Sequence, residues 1–138
     1  MKLPINQVAD LLIDAKLPWI DEQNIFTSNV TPDEDTTGKT TFIRIQDAVS
    51  QLTDHANNLA STISAGVEVQ IFFSTDGKIN IFDAKVTVLN LFQENGWKVQ
   101  RPLQPDSTDP DTKQRTVTFY IMKDEVDEHT HTGDYGLI

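Results

Sequence analysis

A chain of 138 residues is long enough for one domain that buries roughly two-thirds of the surface its unfolded form would expose. It has no cysteine, which excludes disulfide staples, thiolate nucleophiles and cysteine-ligated zinc or iron–sulfur centres. Its net charge of −10, from 21 acidic against 11 basic residues, argues against a protein that grips nucleic acid, since that needs Lys and Arg to displace counterions.

Met1 to Gln7 shows no basic region leading into an apolar run, so no signal peptide is expected. No apolar stretch approaches the ~20 residues that a bilayer span requires, and a soluble protein without membrane contact is expected. Pro4 to Ala15 reads as the first helix, with Ile5, Val8, Leu11, Leu12 and Ala15 forming one stripe and Pro4 suited to the first turn. Leu17-Pro18 ends it, because the residue before proline avoids helical geometry. Asn24 to Val30 is a candidate first strand. Thr40 to Gln46 alternates and is expected to pair back on it as a hairpin. The connecting loop, Thr31 to Gly38, carries Asp33, Glu34 and Asp35; it reads either as a solvated hairpin loop or as a contact arm in an assembly.

Ser50 to Ser64 mixes apolar residues with Asp54, Asn57, Asn58 and Ser61 and reads as a loop. From Thr62 the chain enters its organising strand. Val67, Val69, Ile71 and Phe73 share one face; Glu68, Gln70 and Phe72 share the other. Thr75-Asp76-Gly77 closes this strand with turn chemistry. Ile81, Ala84, Val88, Leu91 and Phe92 then recur at helical spacing, with Asp83 as the expected N-cap and Asn95-Gly96 as the stop. Lys85 falls inside the apolar arc and must run its stem along the core with its amine at the edge.

Trp97 to Gln100 is a short strand. Pro102, Pro105 and Pro110, with Asp106, Asp109 and Asp111 between, make an extended linker unsuited to a sheet interior. Arg115 to Met122 is the last strand, forming a hairpin across Asp109-Pro110-Asp111-Thr112. The expected fold class is α+β, a mainly antiparallel sheet of about four to five strands with two packed helices. Residues 1–123 form the domain. Residues 124–138 form an acidic C-terminal extension with five acids, no Lys or Arg, and too few apolar groups to offset its ordering entropy alone. Tyr135, Leu137 and Ile138 are the residues expected to anchor it against a neighbour.

No catalytic constellation emerges, and neither an enzyme nor a cofactor is expected. His129 and His131, among Asp127, Glu128 and Asp134, have ligand chemistry but sit in a segment without rigid support, so no metal is assigned. His55 beside Asp54 has no third catalytic group at motif spacing. Gly38-Lys39-Thr40 ends like a phosphate loop but lacks the upstream glycine, and the aspartate sets lack calcium-loop spacing. Trp19, Trp97, Phe26 and Tyr120 read as core or strand-face residues rather than a ligand box.

The opening Met1-Lys2-Leu3-Pro4 with Val8-Ala9-Asp10-Leu11-Leu12, then Val69 to Phe73, Asn95-Gly96-Trp97, Asp109 to Thr112 and Thr118-Phe119-Tyr120, resembles a family of small siphophage tail proteins of Gram-positive bacteria. Its members are similar in size and role to tail terminators, and the resemblance spans roughly residues 1–123. It implies an α+β subunit and a homo-oligomer, a ring of six. That ring would cap the major tail tube protein and present a surface to a head-completion or connector protein. Localisation would be the neck end of the virion tail, and the host cytoplasm during assembly. DNA would pass through the channel without specific binding, which suits a negative lumen. Candidate interface or lumen residues are Asp33, Glu34, Asp35, Asp124, Glu125, Asp127, Glu128 and Tyr135. The alternative is an acidic DNA mimic that inhibits a nucleic-acid-binding protein, for which carboxylates would have to be spaced like phosphates over one face.

Overall fold

A computed structural model describes residues 3–27, 38–48, 51–52, 62–101, 103 and 105–126, with backbone only for 51–52, 62–64 and 124–126. Helix α1 (Pro4–Asp14) opens with proline in its first turn and buries Ile5, Val8, Ala9 and Leu12, the three- and four-residue spacing of one helical stripe. It stops at Ala15, after which Lys16 turns to φ +54° and Leu17 enters the core ahead of Pro18. A single 3-10 turn (Glu22–Asn24) leads into strand β1 (Ile25–Thr27).

The remaining strands are β2 (Phe42–Asp47), β3 (Gln51–Leu52), β4 (Thr62–Phe73), β5 (Lys98–Val99), β6 (Ser107–Thr108) and β7 (Arg115–Val126), with helix α2 (Ile81–Glu94) between β4 and β5. They form one sheet of order β1-β2-β4-β7-β5, with β3 also on β4 and β6 also on β7. Together with the two helices this is the α+β class the sequence led us to expect. The long β4–β7 pair is its spine, running in register from Thr62 opposite Val126 to Phe73 opposite Arg115.

Four local expectations are corrected. β1 and β2 are parallel, Ile25 opposite Ile43 and Thr27 opposite Ile45, so they are not a hairpin. A parallel pair needs a crossover of about a dozen residues or more, and residues 28–41 supply it where a two-residue turn would have reversed the chain. The N-cap of α2 is Asn80, whose Oδ1 accepts the Asp83 N–H at 3.1 Å; Asp83 is the third residue of the helix and receives the cap rather than making it. Gln51 and Leu52, expected in a loop, pair with Ser64 and Ile63. The last strand runs on to Val126, so Asp124 and Glu125 belong to the sheet. Ser107 and Thr108, between Pro105 and Pro110, pair only at its margin with Thr116 and Arg115.

Both helices lie on one side of the sheet. Ile43 and Ile45 of β2, Val67, Val69, Ile71 and Phe73 of β4, and Val117, Phe119 and Ile121 of β7 meet the apolar stripes of α1 and α2 in one core. The α2 stripe is Ala84, Val88 and Phe92, with Phe92 edge-on to Phe119 at 5.8 Å. Each such large apolar side chain contributes about 1.5–3 kcal/mol on burial. Lys85, half-buried as its place in the stripe required, ends in an ion pair with Asp106 at 2.8 Å.

Candidate assembly surface

Phe42, Arg44 and Gln46 of β2, Glu68, Gln70 and Phe72 of β4, and Thr116, Thr118 and Tyr120 of β7 point away from both helices, and the register arranges them in rows. Phe42 stands opposite Phe72, which stands opposite Thr116; the next rows are Arg44, Gln70 and Thr118, then Gln46, Glu68 and Tyr120. Phe26 of β1, opposite Arg44 in register, joins from the edge. An antiparallel sheet commonly leaves one face to water, and that alone explains the polar rows.

The aromatic end is less ordinary. Phe42 and Phe72 stack at 4.4 Å with planes 9° apart, and Phe26 meets Phe42 edge-on at 6.4 Å. The Arg44 guanidinium lies 5.5 Å from the centre of the Phe72 ring, and its Nε donates to Gln70 Oε1 at 3.1 Å, with Nη2 donating to the same oxygen. Phe72 is 8% exposed even though its face carries no helix among the described residues, because its ring is covered by Phe42 and Arg44. Among the described residues no helix covers this face, and the half-buried Phe26 and Phe42 rings, with Phe72 beneath, form a surface suited to a flat partner.

In the third row the Tyr120 hydroxyl donates to Glu68 Oε2 at 3.2 Å, and Gln46 Nε2 donates to Glu68 Oε1 at 3.5 Å. The Glu68 charge, aided by partial burial and the donated hydrogen bond, pushes the Tyr120 phenol above the usual tyrosine range. A raised tyrosine favours the neutral phenol in the fold. Its stabilisation is present in full below the unfolded pKa and is lost as pH rises through the folded one. Glu68→Gln is expected to return Tyr120 toward the ordinary range, read as phenolate absorbance by difference from Tyr120→Phe.

A second feature is a groove of about 710 Å³ between Trp19, the start of α2 and the turn after β4. Lys39 and Lys78 line it together with Asp21, Asp76 and Asp83, so neither sign of charge prevails. The Asp76 carboxyl is held below the usual range, first by the Lys78 N–H at 3.1 Å and then by the Ser74 hydroxyl at 3.0 Å, which makes it a turn brace. On the outer side of α2, Phe82 is 72% exposed and Val86 follows one turn later.

Of the residues singled out in the sequence, Asp33, Glu34, Asp35, Asp127, Glu128 and Tyr135 lie outside the described residues, as do Asp54, His55, His129, His131 and Asp134. Asp124 and Glu125 sit in β7, opposite Ser64 and Ile63. Among the described residues no three metal-ligating side chains come together, and no helix is long and apolar enough to cross a membrane. Sequence reasoning placed Phe72 on the outward face of its strand by alternation, but it did not bring Phe26, Phe42 and Arg44 beside it. Their juxtaposition depends on which residue pairs with which across β1, β2 and β4.

The chain belongs to a family described as a protein of unknown function (DUF806), whose family model matches residues 2–126. The match ends at the last residue of β7 and leaves residues 127–138 outside it. No curated protein matches the chain.

Proposed function

We propose that this protein is a structural component of a siphophage tail, a terminator subunit that closes into a ring.

 The ring is a homo-oligomer of this chain, a hexamer on the tail-terminator reading, and its other contacts are the major tail tube protein on one side and a head-completion or connector protein on the other. It works by shape and self-association, without chemistry, at the neck end of the virion tail. DNA passes through its channel unheld, because a chain of net charge −10 offers the phosphate backbone repulsion rather than a grip.

The observation that supports this reading is the sheet face that no described helix covers, with its Phe26, Phe42 and Phe72 cluster. A ring needs a heterologous contact that repeats around an axis, and an aromatic patch on a flat sheet gives a neighbouring copy an apolar seat. Sedimentation and negative-stain imaging, with and without tube protein, test it. The natural chain is expected to form rings that attach to tube ends. Phe42→Lys is expected to keep its circular dichroism spectrum and stay a monomer. A natural chain that stays monomeric at every concentration and never binds tube ends would refute the reading.

A further inference from the structure

The open sheet face ends in a pocket remote from the aromatic cluster. Beyond the row of Gln46, Glu68 and Tyr120, Gly66 stands opposite Met122, and Met122 stands opposite Lys98 of β5. Gly66 projects no side chain, so the face drops there into a pocket of about 420 Å³, lined mainly by apolar atoms of Ala48, Gly66, Val99, Tyr120 and Met122, with Lys98 at its margin. Lys98 is exposed and has no ion pair among the described residues.

We propose that this pocket seats the chain's own segment 127–138, with Tyr135, Leu137 and Ile138 entering it and the acidic residues of the segment facing Lys98. The proposal does not depend on the tail reading. Three observations carry it. The segment combines large apolar side chains with Asp127, Glu128 and Asp134 and has no Lys or Arg, which complements an apolar pocket bordered by a lysine. It continues from Val126, four positions beyond Met122 and therefore about 13 Å further along the strand at about 3.3 Å per residue. Tyr135 follows nine positions later, enough extended chain to span about 30 Å and to turn back to the pocket, on the same copy or on a neighbour.

The absence of native cysteine makes disulfide trapping in the full chain a clean test. Gln100 lines the pocket, whereas Glu94 is exposed at the end of α2, on the helix side. A side-chain carbon added at Gly96, two residues after Glu94, would lie 3.6 Å from Lys123 Cε, so the end of α2, like the pocket beside Met122, borders β7 within a few residues of Val126. An unseated tether would therefore react with thiols at Glu94 and Gln100 at comparable rates. Leu137→Cys paired with Gln100→Cys is expected to oxidise at least roughly tenfold faster than Leu137→Cys paired with Glu94→Cys, because seating raises the effective concentration at the pocket. Adding Lys98→Glu, or Tyr135→Ser with Ile138→Ser, is expected to remove that preference. The mass of the product shows which copy supplies the segment, and either copy satisfies the proposal. Equal rates for the two pairs, or a preference untouched by those substitutions, would overturn it.

Discussion

Phe92→Ala is expected to cost about 3–5 kcal/mol, a large part of the ~5–15 kcal/mol that holds a domain of ordinary stability together. Phe92 is fully buried, lies edge-on to Phe119 at 5.8 Å, and stands where the α2 stripe meets β7. Truncation removes the transfer energy of the ring and leaves a cavity whose walls belong to a helix and a central strand, neither of which can close in cheaply. In urea the midpoint is expected to fall by more than about 1 M with little change in slope. Phe82→Ala is the matched control: it deletes the same atoms from the same helix at a position 72% exposed, and is expected to stay within about 0.5 kcal/mol. Equal losses for the two would show that α2 does not pack by this stripe.

Gly38→Ala is expected to be nearly as damaging, for a backbone reason. Gly38 has φ +73°, and a side-chain carbon there would come within 2.3 Å of the Thr112 carbonyl oxygen and 3.3 Å of Gln114 Cγ. The Thr112 turn cannot retreat easily. Asp109 Oδ1 accepts the Asp111 and Thr112 N–H groups at 2.8 and 3.2 Å, and Asp109 exchanges backbone hydrogen bonds with Lys113 and Gln114. On the other side, Gly38 O accepts the Thr75 N–H at 2.9 Å, and the buried Gln114 amide donates to Thr40 O at 2.7 Å. Left-handed strain of about 1–2 kcal/mol and overpacking of about 1–3 kcal/mol act together. Gly77 separates the two: its φ is +75°, yet nothing lies within 4 Å of the added carbon, so Gly77→Ala is expected to show the strain alone. Thermal or urea unfolding of the two variants measures the difference. Equal losses would mean that the Thr112 turn yields.

The candidate surface is half legible in the sequence. Alternation along β4 assigns Glu68, Gln70 and Phe72 to the face opposite Val67, Val69 and Ile71, because successive strand residues point to opposite sides. It does not say which strands flank β4. That Arg44 lies over Phe72, or that Tyr120 reaches Glu68, requires the register, and register is set by pairings that span dozens of residues. Asp106 shows the same limit. Among prolines and other aspartates it reads as a turn former, and only the packing of the β6 approach against α2 makes it the partner of Lys85.

Local sequence determined both helices and their buried stripes, the inward face of β4, and the turn at Asp76-Gly77, since each follows from the spacing or backbone preference of neighbouring residues. The tertiary structure decided that β1 runs parallel to β2, that Asn80 rather than Asp83 caps α2, and that β7 continues through Asp124 and Glu125 alongside β4. These depend on where distant strands lie and on the exact point at which a helix begins, and hydrogen bonds between remote segments settle both in ways that composition and periodicity do not encode.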